Sequence, residues 1–231
     1  MIKKHYDFAA GEMLLINKPY KWTSFDVVKK LKFALKIKKI GHAGTLDPLA
    51  TGLLILCTGK MTKQIETFQS QEKEYTGKFV LGATTPSFDL ETEVTEAIDI
   101  STITEEQVKE TTKKFTGKIM QIPPQYSAVK VNGERAYKNA RKGIKVAIKS
   151  REVTISNFEI TDINLPEIAF TVNCSKGTYI RTLANDFGKE LGVGAYLSAL
   201  KRTKIGDFKI EDAFELTAFI DQLQPKMEST Q

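Results

Sequence analysis

Two neighbouring segments of the sequence constrain the fold most, because both alternate apolar and polar residues along their length. Residues 151–164 read REVTISNFEITDIN, and residues 167–175 read EIAFTVNCS. On one face of the second segment every residue is apolar: Ile168, Phe170, Val172 and Cys174. Successive side chains of a strand point to opposite sides of its sheet, so this period of two predicts half-buried antiparallel strands.

Further strands and helices follow one another without a regular alternation. Apolar spacing and capping signals predict helices over 23–36, 62–70, 104–118, 178–192 and 215–223. Strands are predicted over 11–19, 53–57, 73–85 and 194–210, with a hairpin at Asn132-Gly133. This mixture predicts an α+β fold with a mixed, mainly antiparallel sheet and flanking helices. We expect a single domain over 1–223 and a disordered tail over 224–231.

The composition is that of a globular protein, with 41% hydrophobic and 27% charged residues in a chain of 231. No apolar run reaches the roughly 20 residues that a membrane helix needs. The N-terminus shows no secretory leader, so we expect a cytoplasmic protein. Cys57 and Cys174 lie in strand-like segments, and the Cys and His residues lack the spacing of metal ligands. We therefore expect neither a disulfide nor a metal site.

Positive charge is concentrated in two segments of the chain. There are 34 Lys and Arg residues against 28 Asp and Glu, a net charge of +6. Six lysines lie between Lys29 and Lys39, and the run from Lys138 to Arg151 contains no acidic residue. Neither run has a strong apolar face beside it, which argues against a membrane surface. Clustered cations of this kind favour binding to a nucleic-acid backbone.

The stretch 41–60 reads GHAGTLDPLATGLLILCTGK and places a lone carboxylate, Asp47, in a glycine-rich loop before a buried strand. An Asp-Pro pair is ordinary turn chemistry, so a purely structural turn is one interpretation. A polar side chain at the end of a buried strand is also held rigidly, which favours a chemical role. A phosphate-binding loop is excluded, because the G-x-x-x-x-G-K-[ST] spacing is absent.

Four longer segments carry a resemblance to a known family. They read GHAGTLDPLATGLL, EYTGKFVLGATTPSFDLE, PPQYSAVKVNGERAYKNARKG and CSKGTYIRTLANDFGKELGVGAYLSALKRT. In their order and spacing they resemble the TruB family of tRNA pseudouridine synthases, over about residues 11–219. The resemblance implies isomerisation of uridine to pseudouridine at position 55 in the T loop of tRNA, with no metal or organic cofactor. It also implies a catalytic domain whose mixed sheet is divided by a central RNA-binding cleft.

The resemblance assigns roles to single residues. Asp47 matches the catalytic carboxylate of a reaction that breaks and re-forms the glycosidic bond after the base has left its stack. Whether Asp47 attacks the ribose, attacks the base or stabilises a detached base stays open. Tyr75 matches a tyrosine that stacks on the base, and Arg181 matches an arginine that pairs with the aspartate. The other matches are substrate-binding positions: His42, Lys63, Tyr179 and Leu200.

Other interpretations of these residues rest on the sequence alone. A strand tyrosine such as Tyr75 and an apolar residue such as Leu200 are ordinary core residues. Arg181 would be a surface residue in the first turn of a helix, where the helix dipole disfavours a cation. The glycines around Asp47 are interpreted as room for the flipped nucleotide.

Two features depart from the family pattern. In the loop PSFDLE, Asp89 is kept, but Thr85, Pro86 and Ser87 stand where the family has an earlier aspartate. The role of Asp89 therefore stays open. The sequence given ends at Gln231, whereas many members continue into a PUA-type RNA-binding domain. We expect a stand-alone monomer whose partner is tRNA.

Three other functions are weighed against this one. A guide-RNA-dependent synthase subunit would rely on the PUA-type domain to hold its guide. An RNA-binding or chaperone module without chemistry would not need reactive side chains at positions 47, 75 and 181. A glycosidase-like hydrolase would need a second carboxylate paired with Asp47, and none is evident in the sequence.

Overall fold

The structure is a computed structural model that describes residues 6–95 and 97–223, so the tail predicted over 224–231 lies outside the described residues. The chain divides into two compact units. Unit 1 comprises Met1–Gln71 and Lys201–Gln231, and unit 2 comprises Glu72–Leu200. A single catalytic domain over 1–223 stays a prediction.

Both units combine helices with strands, which confirms the α+β class. Within the described residues the helices are α1 (Ser24–Ala34), α2 (Ile65–Ser70), α3 (Glu105–Phe115), α4 (Ala136–Ala140), α5 (Ile180–Glu190) and α6 (Leu216–Leu223). The strands are β1 (Met13–Lys18), β2 (Ile40–His42), β3 (Ala50–Thr58), β4 (Lys73–Leu81), β5 (Gly117–Gln121), β6 (Lys130–Val131), β7 (Glu134–Arg135), β8 (Arg151–Asn164), β9 (Glu167–Cys174), β10 (Ala195–Ile205), β11 (Phe208–Lys209) and β12 (Phe214–Glu215). None of the described helices has the length and apolarity needed to span a membrane.

In unit 1 the strands are hydrogen-bonded in the order β12-β1-β3-β10, with β2 on β3 and β11 on β10. β1 and β3 run antiparallel, in register from Met13↔Cys57 to Lys18↔Gly52, whereas β12 is parallel to β1. Helix α1 begins with the side chain of Thr23, which accepts a hydrogen bond from the Asp26 N–H in a capping box. Apolar residues of α1, α6, β1 and β3 form one core.

In unit 2 the order is β10-β4-β9-β8-β5. The pairs β4–β9, β9–β8 and β8–β5 are antiparallel, as the alternating segments predict. All of Ile168, Phe170, Val172 and Cys174 are buried, which confirms the predicted face of β9. Helices α3 and α5 pack beside these strands, and an aromatic cluster links the two layers: Phe79, Phe115, Phe158, Phe170 and Phe187.

Three local predictions differ from the structure. The segment 62–70 is helical only from Ile65, because a 3₁₀ helix over Gly59–Gln64 precedes it. The helix predicted over 104–118 ends at Phe115, and Gly117 begins β5, a strand that the sequence pattern did not indicate. The strand predicted over 194–210 is broken by a turn at Gly206, which separates β10 from β11.

Candidate active site

The loop that carries Asp47 is held on both sides by hydrogen bonds within unit 1. The hydroxyl of Ser24 accepts a hydrogen bond from the Leu46 N–H at 2.9 Å and donates one to the Leu46 carbonyl at 3.2 Å. The Lys21 N–H donates to the Pro48 carbonyl at 2.9 Å. The Asp47 carbonyl accepts from the Ala50 N–H at 3.1 Å, at the start of β3. The half-buried Asp47 is therefore fixed at the lip of a buried strand, as predicted.

A buried lysine lies under this loop. Lys18 is 0% exposed, and its Nζ donates to the carbonyls of Pro19 at 2.9 Å, Trp22 at 2.5 Å and Pro48 at 3.3 Å. Burial lowers the pKa of Lys18 to about 8, and the negative charge of Asp47 acts in the opposite direction. Asp47 therefore lies within electrostatic reach of a cation on the adjacent strand.

A second buried cation, Arg202, ties the loop to β10. It is 1% exposed, its Nε donates to the Leu53 carbonyl at 2.7 Å, and its Nη2 donates to the Gly44 carbonyl at 3.1 Å. The positive charge of Arg202 also lowers the pKa of Lys18, because the two cations repel each other. Guanidinium groups suit such a role, because one planar group can bridge two carbonyls of different segments.

One glycine of the loop, Gly52, is required by backbone packing. Gly52 has φ +104, and a Cβ at this position would lie 2.3 Å from the carbonyl oxygen of Arg202. Gly52 is therefore required by the close approach of β3 to β10 and by its backbone conformation. That the glycines around Asp47 leave room for a nucleotide stays a prediction. Gly44 also has a positive φ, of 97°, and meets only an ordinary contact with the Arg202 side chain at 3.6 Å.

Replacing Gly52 by Ala is expected to lower the free energy of unfolding by about 2–3 kcal/mol, since strain from the positive φ is added to a backbone clash. The matched control is Gly117→Ala, because Gly117 has a similar φ of +97 with nothing within 4 Å of an added Cβ. Urea unfolding of both variants measures the difference. Equal losses in the two variants would contradict the close packing at Gly52.

Two of the expected substrate-binding residues belong to unit 1. His42 lies half-buried in β2, where burial first and then the charge of Arg202 lower its pKa. Its imidazole is therefore neutral near pH 7, which suits hydrogen bonding to RNA more than ion pairing. Lys63 lies exposed in the 3₁₀ helix before α2, where its ammonium is accessible to solvent.

In unit 2, Arg181 is a buried residue, so its interpretation as a surface residue is wrong. It lies in the first turn of α5 at 2% exposure, with its Nε 3.6 Å from Oδ2 of Asp89. Its guanidinium also donates to the carbonyls of Ser87 at 3.3 Å and Tyr126 at 2.9 Å. The carboxylate of Asp89 thus compensates a cation at a helix N-terminus, where the dipole alone would disfavour it.

In the loop that departs from the family pattern, hydrogen bonds within the loop hold Asp89 in place. Asp89 is 5% exposed, and its carbonyl accepts hydrogen bonds from the hydroxyls of Thr85 at 2.7 Å and Ser87 at 3.1 Å. Its carboxylate also accepts from the Glu91 N–H at 3.0 Å. Asp89 therefore has a structural role in orienting the guanidinium of Arg181.

Tyr179 is the residue before α5 and is held by Gln121. Its N–H donates to Oε1 of Gln121 at 2.8 Å, and its carbonyl accepts from Nε2 of the same side chain at 3.1 Å. The guanidinium of Arg151 lies 4.7 Å from the centre of the Tyr179 ring. This half-buried ring is fixed in place, as a wall of a binding pocket requires.

Tyr75 and Leu200 are both half-buried and pack against the core of unit 2. Tyr75 lies in β4 opposite Val172 of β9, and Leu200 is the last residue of unit 2, within β10. Packing of this kind is what the core interpretation of each residue predicts. It leaves the roles given by the resemblance as predictions.

The expected site residues are thus distributed over both units. Unit 1 carries Asp47, His42 and Lys63, and unit 2 carries Tyr75, Tyr179, Arg181 and Leu200. The pairing of Arg181 with Asp47 stays a prediction. Among residues 6–95 and 97–223, no group of three His, Cys, Asp or Glu side chains could hold a metal ion.

Comparison with known proteins decides the family. The model described as TruB family pseudouridylate synthase (N terminal domain) matches residues 32–180, and that described as tRNA pseudouridylate synthase B C-terminal domain matches residues 181–230. The chain belongs to the TruB family. The predicted resemblance is confirmed over nearly the whole chain.

Curated relatives are similar over most of their length. A tRNA pseudouridine synthase B of Flavobacterium johnsoniae is 54% identical, with 94% of this chain and 98% of that protein covered. One of Parabacteroides distasonis is 52% identical, covering 96% and 98%, and one of Clostridium tetani is 49% identical, covering 87% and 70%. TruB members of this length therefore exist among bacterial proteins.

A solved structure supports the same fold. The chain matches a crystal structure of a Cbf5-Nop10-Gar1 complex with a TM-score of 0.72 and 30% identity. The match covers 93% of this chain but only 54% of the chain in that complex. This chain therefore spans about half the length of that structural relative.

Proposed function

We propose that this protein isomerises uridine to pseudouridine at position 55 in the T loop of tRNA. The observation that carries the proposal is a TruB sequence whose family aspartate, Asp47, is held rigidly in a loop beside a buried lysine. The name shared by the bacterial relatives supports tRNA as the substrate. The T-loop position rests on the family resemblance.

The proposed reaction needs one carboxylate and no cofactor. Asp47 acts as the nucleophile while the bond between uracil N1 and the ribose breaks. The uracil then turns, and its carbon 5 bonds to the ribose as the carboxylate is released. Carbon 5 loses its proton and N1 gains one, so the product is an isomer of the substrate. The target uridine first leaves its stack, because a carboxylate at the lip of a strand cannot reach a glycosidic bond inside a stacked loop. Lys18 and Arg202 hold the Asp47 loop, so the carboxylate does not need to reorganise during the reaction.

In this proposal, three residues of unit 2 bind the flipped uracil. Tyr75 stacks on the flipped uracil, and Tyr179 and Leu200 line its pocket. Arg181 pairs with Asp47, and the carbonyl groups of Ser87 and Tyr126 hold its guanidinium in position. His42 and Lys63 bind the RNA beside the target nucleotide. We propose that the protein acts as a monomer, in the cytoplasm where tRNA is matured.

A guide-RNA-dependent role is the nearest rival, because the Cbf5 complex has a similar fold. Relatives named tRNA pseudouridine synthase B are much more similar in sequence, at 49–54% identity against 30%. Those relatives also match over most of their own length, whereas only 54% of the Cbf5 chain is covered. Direct action on tRNA is therefore the favoured function.

An isolated T stem-loop hairpin is expected to be a substrate. The proposed chemistry requires only that one loop uridine reaches Asp47, at a cost of a few kcal/mol of unstacking that local contacts offset. Single-turnover assays compare catalytic efficiency on the hairpin with that on full-length unmodified tRNA. A hairpin with the target uridine replaced by cytidine is the control. An inert hairpin alongside reactive full-length tRNA would contradict local recognition.

A further inference from the structure

A groove of about 860 Å³ runs along one side of α1 in unit 1. Its apolar wall is made by Trp22, Phe33 and Ile37, and its charged rim by five lysines and one aspartate: Lys21, Lys29, Lys30, Lys32, Lys36 and Asp26. All five lysines are exposed. The basic run at 29–39 therefore does have an apolar surface beside it, which corrects the prediction from the sequence.

The exposed aromatic ring in this groove has no role in the core. Phe33 is 86% exposed, and with Trp22 and Ile37 it forms an apolar patch rimmed by charged residues, the kind of patch that marks an interaction site. Asp26 is committed to the helix cap, because its carboxylate accepts hydrogen bonds from the N–H and hydroxyl of Thr23 at 2.9 and 2.6 Å. The groove thus presents an aromatic side chain bordered by exposed lysines.

We propose that this groove binds unpaired nucleotides of the substrate tRNA that lie outside the T arm. Lysines along the rim contact the phosphates, and a base stacks on Phe33. This combination of a cationic groove and exposed aromatic rings is the one that holds single-stranded nucleic acid. A protein partner fits less well, since five lysines around an apolar wall complement a polyanion. An anionic membrane would share that complementarity, and RNA is favoured because tRNA is the substrate of the proposed function. The proposal rests on the proposed function, because tRNA is its ligand.

The position of the groove relative to Asp47 indicates which nucleotides it holds. At its near end, the N–H of Lys21 bonds the carbonyl of Pro48, the residue next to Asp47. Lys21 adopts a left-handed backbone with φ 64, and its Nζ lies 5.7 Å from the Tyr20 ring. The groove is therefore attached directly to the catalytic loop at this end.

The far end is reached only after the whole length of α1. Eleven residues of helix span about 16 Å, and Phe33, Lys36 and Ile37 lie at or beyond its last turn. Phe33 is therefore separated from the groove end that contacts the catalytic loop by the length of this helix. We infer from this separation that the base stacked on Phe33 belongs to a part of the tRNA other than the flipped uridine and its loop.

The test measures binding rather than turnover, with full-length unmodified tRNA and the isolated T stem-loop as the two probes. Phe33→Ala is expected to raise the Kd for full-length tRNA roughly fivefold to tenfold, the lower part of the range for loss of one stacked base. It should leave the Kd for the hairpin unchanged. The matched control is Phe25→Ala, because Phe25 is another exposed ring of α1, at 68%, that does not line the groove.

A lysine pair extends the test. Lys36→Ala should reduce the salt dependence of full-length tRNA binding by roughly one in the log–log slope, since one phosphate contact is lost. Lys38 is an exposed lysine of the same run outside the groove, so Lys38→Ala should reduce the slope less. An unchanged Kd for full-length tRNA in Phe33→Ala, or equal losses with both RNAs, would overturn the proposal. Because the readout is affinity, failure here is distinct from failure of the proposed isomerisation.

Discussion

Replacing Asp47 by Asn is expected to reduce pseudouridine formation by at least about a thousandfold, as removal of a catalytic nucleophile commonly does. The amide has nearly the same volume as the carboxylate but is a far poorer nucleophile. The loop should keep its shape, because its hydrogen bonds run through the Ser24 hydroxyl and the backbone of Leu46 and Pro48. The rate is measured by tritium release from 5-labelled uridine in tRNA.

Two controls accompany this variant. Its Kd for tRNA should stay within about threefold of wild type, because the contacts to the RNA backbone, which supply most of the affinity, are unchanged. Asp207→Asn changes an exposed aspartate in the turn between β10 and β11 of the same unit, and it should have full activity. Turnover of Asp47→Asn within tenfold of wild type would end the catalytic assignment.

Replacing Arg181 by Met is expected to lower the free energy of unfolding by about 3–5 kcal/mol and to abolish activity. The variant removes the buried cation that lies 3.6 Å from the Asp89 carboxylate, and removal of one member of a buried ion pair costs this much. It also removes donors to the carbonyls of Ser87 and Tyr126. Urea unfolding and the tritium assay measure the two effects.

A double-mutant cycle separates the ion pair from general damage to the fold. Asp89→Asn and Arg181→Met together should destabilise by less than the sum of the single changes, because each single change leaves a buried charge behind. Arg181→Lys is the conservative variant, because it keeps the positive charge. A lysine ammonium lacks the planar fork with which the guanidinium contacts two carbonyls and a carboxylate at once. It should recover part of the stability. Additive losses in the cycle would contradict the coupling of Asp89 to Arg181.

The sheet of unit 2 could be predicted from the sequence because its strands carry a local signal. Ile168 and Phe170 alternate with polar residues, and the period of two needs no knowledge of distant contacts. Helix α3 was equally accessible, since Thr104 and Gln107 form its capping box within four residues. Strand β5 could not be predicted, because it has only five residues, begins with a glycine and shows no alternation of apolar and polar side chains.

The candidate site was predictable where a motif marks it and less so where distant residues meet. Asp47 stands out as a carboxylate before a buried strand, but Arg202 bonds the carbonyls of Gly44 and Leu53 through a contact that spans about 150 residues of sequence. Lys18 is marked by the pattern of its own strand. It continues the buried positions 14 and 16 of β1, where a lysine is out of place unless it has partners.

The central claim is tested most directly by mapping pseudouridine at nucleotide resolution after incubation of the purified protein with unmodified tRNA transcripts. We expect complete conversion of the uridine at position 55 in the T loop and no other modified uridine, with no conversion by Asp47→Asn. Conversion of a different uridine would contradict the proposed specificity. A transcript left unmodified by folded, tRNA-binding protein would contradict the proposed reaction itself.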